Sequence, residues 1–182
     1  MVGTMVRSSY QCFLLTLLLL CLFALRPAIA KESWASWPAV GQAEFTWFWF
    51  DVYRSTLRTP DGHFHGLSTD LVLEIEYQRQ ISAEQLLDAT EQQWVAMGYS
   101  TQSIQDWLAL LKPLFPSVAA NDTLYFVAHL EQGSLYFAPQ GQAPKLLGEV
   151  DDGNLCQAFL SIWLGPRTQY PKLRKQLIGE SR

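Results

Sequence analysis

"LVLEIEYQRQISAEQLLDATEQQWVAMG" (Leu71–Gly98) decides the fold class, because two different periodicities meet inside it. Leu71, Leu73, Ile75 and Tyr77 alternate with Glu74, Glu76 and Gln78, the pattern of a strand with one covered face and one wet face. Glu74 and Glu76 share that wet face. A carboxylate pair for acid–base work is one reading of them; a solvated edge explains the alternation more simply. From Ser82 the spacing becomes helical. Ser82 is placed to cap the first turn, with Gln85 reaching back three residues later, a capping box. Leu86, Leu87, Thr90, Trp94 and Met97 then fall on one stripe, and Gly98 stops the helix.

On the N-terminal side, "GQAEFTWFWFDVYRSTL" (Gly41–Leu57) reads as one extended aromatic segment. It does not alternate around Trp47–Phe50, so both of its faces need cover. Arg58–Gly62, "RTPDG", has the chemistry of a turn. On the C-terminal side a second helix is expected from about Ser103, with Ile104, Trp107, Leu108, Leu111 and Leu114 inward. Three short strands, "TLYFVAHL", "SLYFAPQ" and "PKLLGEV", follow as a meander with turns at Gly133 and Gly141. Leu155–Gly165 is an apolar helix, and Pro171 opens a last short one. The order strands, two helices, strands, two helices is that of an α+β protein. An antiparallel sheet with helices on one face would cover the aromatic segment.

The first thirty residues are read as a signal peptide. Arg7 supplies the positive end, "CFLLTLLLLCLFAL" (Cys12–Leu25) the apolar run, and Ala28-Ile29-Ala30 the cleavage site. The run is shorter than the roughly 20 residues of a spanning helix, so a membrane is expected as a partner only through the alternative of an uncleaved signal segment. The expected mature chain carries 11 basic against 17 acidic residues, which disfavours nucleic acid. Its destination is expected to be the periplasm or the medium. Only Cys156 stays in it, so no internal disulfide is possible. With 49% hydrophobic residues the fold must stand on its core instead. Residues 31–40, with "SWASWP", read as a leader of little structure; 41–179 form the domain and 180–182 a tail.

Little in the chain announces chemistry. His63 and His65 with Asp61 sit in a turn-rich segment without a third ligand at fixed spacing, so no metal site is expected. His129 reads as a satisfied, partly buried residue. There is no nucleophile elbow, P-loop or dinucleotide glycine pattern. No cofactor and no catalytic residue is assigned.

"FLSIWLGPRTQYPKLRKQLIG" (Phe159–Gly179) resembles the C-terminal signature of bacterial chalcone isomerase-like proteins: Ile-Trp-Leu-Gly, then Thr, Pro and Leu-Arg-x-x-Leu-x-Gly. "DVYRSTLRTPDG", "LVLEIEYQRQISAEQL", "LFPSVAANDTL" and "GEVDDGNLCQAFLSIWLG" resemble further segments of that family in collinear order, from Gly41 to Gly179. The resemblance implies an open-faced β-sandwich, a bent antiparallel sheet with helices over one side. It also implies an apolar cleft that holds a flavonoid in the plant enzymes and fatty acids in non-catalytic members.

The enzymes' functional residues are not matched. Their arginine falls near Glu44, their strand threonine on Phe48, their helix-entry tyrosine on Ser82, their asparagine on Ala89 and a Ser/Thr on Tyr170. Isomerase activity, which needs preorganised donors at a developing charge, is therefore not expected. The expected function is non-catalytic binding of a small apolar or amphipathic ligand such as a fatty acid. Phe48, Phe50, Arg54, Arg79, Trp94 and Tyr170 are the candidate ligand-binding residues, with Arg54, Arg79 and Tyr170 considered for a carboxylate. The alternative is an envelope interaction module with a self-filled cleft, its aromatic leader docked on the domain or on a protein partner.

Overall fold

The computed structural model describes residues 33–47 and 50–180, with the side chains of Ser33, Trp47 and Phe50 outside the description. The signal-peptide reading and Phe48 lie outside the described residues. Six strands form one antiparallel sheet in sequence order: β1 (Ala39–Trp47), β2 (Phe50–Arg58), β3 (Leu71–Tyr77), β4 (Thr123–His129), β5 (Gln132–Ala138) and β6 (Lys145–Val150). Helices α1 (Ala83–Ala96) and α2 (Thr101–Leu111) interrupt the chain between β3 and β4. These two strands nevertheless pair, Leu73 opposite Phe126. Helices α3 (Gly153–Leu164) and α4 (Pro171–Leu177) close the chain.

All four helices stack on one face. Leu57, Leu73, Ile75, Leu124, Phe126 and Leu135 point from the sheet into a core shared with Trp94, Leu111 and Phe159 from the helices. The α+β class and the open-faced β-sandwich are therefore as expected. Among the described residues, no helix is long and apolar enough to cross a membrane.

Two expectations change. The aromatic segment 41–57 is not one strand but a hairpin, with Trp47 paired to Phe50 at its tip. No Gly, Pro, Asn or Asp marks that turn, which is why it reads as continuous strand. The leader is also not structureless. Ser33–Ser36 form a 3₁₀ turn, and Trp34, only 5% exposed, packs on Tyr125 and Tyr136 with ring centroids 5.1 and 5.2 Å away. Those tyrosines alternate with the buried Leu124, Phe126 and Leu135, so Trp34 covers the sheet face opposite the helices.

Helix α1 begins as its capping box predicts. Ser82 Oγ accepts from the Gln85 amide at 3.2 Å, and Gln85 Oε1 accepts from the Ser82 amide at 2.9 Å. Helix α3 is largely apolar because its second half is buried all round, from Ala158 to Leu164 without interruption, with Ser161 the one polar residue of that run. Asp152 caps its start through the amides of Asn154 and Leu155. At its far end Arg174 Nε donates to the Leu164 carbonyl at 2.8 Å, and Thr168 Oγ1 donates to the Ile162 carbonyl. These contacts satisfy orphan carbonyls that a buried helix end cannot leave bare.

Candidate functional site

Between the sheet and helices α1 and α3 lies an apolar cavity of about 150 Å³. The first hairpin supplies one wall. Phe45 pairs with Tyr53, Thr46 pairs with Asp51, and Val52 is left over as a β-bulge. A bulge re-aims side chains that a regular strand would send to opposite faces. Both Val52 and Tyr53 line the cavity as a result. Ile75, Tyr77 and Leu124 form the floor, while Gln85, Leu86, Ala89, Thr90 and Gln93 of α1 form the roof. Phe159, Ile162 and Trp163 of α3 close the inner end, with Tyr170 at the start of α4 beside Phe45.

The walls are a continuous aromatic chain. Phe45 stacks on Tyr53 at 5.1 Å and meets the edge of Tyr170 at 4.8 Å. Tyr53 approaches Tyr77 and Trp163 edge-on, and Trp163 meets Phe159 at 5.3 Å. Such edge and offset contacts are the preferred aromatic geometries.

A few polar groups interrupt this lining. Trp163 Nε1 donates to the Tyr53 hydroxyl at 2.9 Å. Gln93 Nε2 donates to the Tyr170 hydroxyl at 3.2 Å. The Thr90 hydroxyl is engaged by the Leu86 carbonyl at 2.8 Å. Burial pushes the phenols of Tyr53, Tyr77 and Tyr170 above their ordinary range, so all three stay neutral. None of the described lining residues carries a charge. Gln93 Oε1, fully shielded, has no hydrogen-bond partner in the protein.

The structure brings Tyr170 to this cavity and places Arg54, Arg79 and Trp94 elsewhere. Arg54 lies on the open face of the sheet, paired with Glu44 at 3.1 Å and with Glu76 at 3.9 Å. Arg79 is exposed in the turn after β3 and does not line the cavity. Trp94 is completely buried among α1, α2 and α3. Its Nε1 donates to the Ala158 carbonyl at 2.9 Å, and its ring meets Trp107 edge-on at 5.3 Å. Phe50 opens β2 at the hairpin tip.

The residues missed from sequence are Phe45, Tyr53, Tyr77, Gln93 and Trp163. A polar Gln93 beside the apolar stripe of α1 reads as solvated, and nothing local signals otherwise.

The other polar candidates have structural partners. Glu74 is not at an edge: it sits in the third of six strands and pairs with Arg58 at 2.9 Å. His65 contacts Asp61 at 2.8 Å in an exposed loop. His129, expected partly buried, is exposed and lies 2.7 Å from Asp70. No cluster of three metal-ligating side chains occurs among the described residues. Cys156 is a buried thiol, pushed up to about 11 first by burial and then by Asp152.

No protein-family model matches the chain. An uncharacterized protein of Haemophilus influenzae is 28% identical over 153 residues, spanning 84% of this chain and 73% of that protein. The crystal structure of a fatty-acid binding protein from Arabidopsis thaliana is similar at a TM-score of 0.59 and 11% identity. The match covers 84% of this chain and 91% of that one. Six antiparallel strands under four helices, superposed on that neighbour, give this chain the chalcone isomerase-like fold.

Proposed function

We propose that this protein is a non-catalytic, bacterial-type chalcone isomerase-like protein that holds a small apolar or amphipathic ligand, such as a fatty acid, in the cleft between sheet and helices. The observation that carries this reading is the aromatic-walled cavity of about 150 Å³, uncharged among the described residues, at the helix–sheet interface. Ligand sites are typically concave, mostly apolar and furnished with a few placed polar groups. A cavity of this size in an apolar core accepts a benzene ring, so a ring or a short acyl segment fits the described space. The fatty-acid binding of the Arabidopsis protein of the same fold supports the choice of ligand class.

The non-catalytic part of the proposal rests on the lining. Glu44 stands near where the resemblance would put the enzymes' arginine, and it faces the open side of the sheet in a pair with Arg54. No described cation reaches the cavity to stabilise a phenolate or enolate. The proposal includes export, on the strength of Arg7, the apolar run to Leu25 and Ala28-Ile29-Ala30.

The test is mass spectrometry of an organic extract from the mature protein, exported by a bacterial host and purified without detergent. A stoichiometric lipid or other apolar molecule is the expected result. An extract identical to that of an exported control protein, together with failure to take up both added fatty acids and fatty alcohols, would sink the proposal.

A further inference from the structure

Gln93 lines the cavity, and its Oε1 is shielded from solvent without a hydrogen-bond partner in the protein. A buried acceptor without a partner is destabilising, and a donor from outside the chain would satisfy it. The amide's other end is used: Nε2 donates to the Tyr170 hydroxyl, which leaves that hydroxyl's own proton available. Tyr53 is arranged alike, its oxygen accepting from Trp163 Nε1. The cavity lining thus offers one amide acceptor and phenolic donors, all neutral. A carboxylate has no proton for Gln93 Oε1, and burying it without a cation costs several kcal/mol.

We infer that this cleft takes a neutral head group that donates a hydrogen bond to Gln93 Oε1 and accepts one from a tyrosine, as a hydroxyl, a primary amide or an undissociated carboxyl does, and discriminates against carboxylates. The inference rests on the apolar-ligand reading and names the head-group chemistry of that same site. A fatty acid would enter it in its protonated form.

Four matched probes test it at pH 7: 1-hexanol, hexanamide, methyl hexanoate and hexanoate, which is ionised at that pH. Each is titrated into purified protein and followed by tryptophan fluorescence and calorimetry. Hexanol and hexanamide are expected to bind at least about tenfold more tightly than hexanoate, as one hydrogen bond and one avoided buried charge require. They should also exceed methyl hexanoate, which only accepts. In Gln93→Leu the advantage over methyl hexanoate should vanish while methyl hexanoate still binds.

Hexanoate binding as well as hexanol overturns the inference, and would mean that the amide presents its NH₂ group to the cavity. So does a hexanol advantage untouched by Gln93→Leu, because Oε1 would then have another donor. Binding of all four without discrimination overturns this inference alone. Binding of none overturns the apolar-ligand reading with it.

Discussion

Tyr77 carries the clearest single-residue consequence. Its phenol is desolvated in the core, so its folded pKa lies above the ordinary value of 10. Above that pH the unfolded chain loses a proton that the folded chain keeps. Stability is therefore fully present below pH 10 and falls as pH rises, by about 1.4 kcal/mol per pH unit for each such tyrosine. Urea unfolding between pH 9 and 12 should show this decline, and Tyr77→Phe should flatten it by about one tyrosine's share. An unchanged slope would mean that Tyr77 ionises in the folded state. Gly41 has a steric role of equal definiteness. A Cβ there would lie 2.0 Å from the Gln176 carbonyl oxygen and 2.6 Å from that of Leu177, so α4 can approach β1 only because residue 41 has no side chain. Gly41→Ala is expected to cost at least about 1–3 kcal/mol in urea unfolding. Neither role is announced by local sequence: a tyrosine in an alternating strand and a glycine in an extended one look ordinary until the opposing element is in place.

Among the elements, α1 and the first hairpin show opposite degrees of legibility. The capping box at Ser82 and Gln85 is a purely local device, and it forms as read. Ser82→Ala should cost about 1 kcal/mol, seen as a loss of about 2–4 °C in melting temperature for a chain of this size. An unchanged melting temperature would show that the bridge between Ile81 and Val118 already holds this helix entry. The hairpin was illegible in two respects. Its turn lacks marker residues, and the bulge at Val52 has no sequence signature. Both decide the site, since the bulge turns Val52 and Tyr53 to one cavity. The C-terminal signature serves both fold and site: Phe159, Ile162, Trp163 and Tyr170 line the cavity. Thr168 and Arg174 cap the end of α3, and Thr168 ties the lining residues Ile162 and Tyr170 together through its hydroxyl.

At the scale of the molecule, the sheet separates two surfaces with different duties. The helix face holds the core and the cavity, and the open face holds the Arg54–Glu44, Arg54–Glu76 and Arg58–Glu74 pairs with Trp34 packed beside them. The exposed Arg54–Glu44 pair contributes about 0–1 kcal/mol, well below what a buried indole such as Trp34 contributes. Trp34→Ala should destabilise the protein by about 3 kcal/mol. Trp34→Phe should cost much less, because it also removes an indole N–H that is buried without a partner. Hexanol affinity should be the same in both variants as in the parent, because the sheet lies between Trp34 and the cavity. A change in that affinity would show that the two faces are coupled.

The sequence by itself determined the alternation of β3, the cap and stop of α1, the three-strand meander, the largely apolar α3 and the α+β order. These follow from periodicity and punctuation, which act over a few residues. Only the tertiary structure decided which face Arg54 takes, that Trp94 is core, and that Tyr53 meets Trp163 across 110 residues and Gln93 meets Tyr170 across 77. The physical reason is that a cavity belongs to no segment. It is the space left when four elements with their own local preferences pack together, and its polar atoms are defined by which partners that packing withholds.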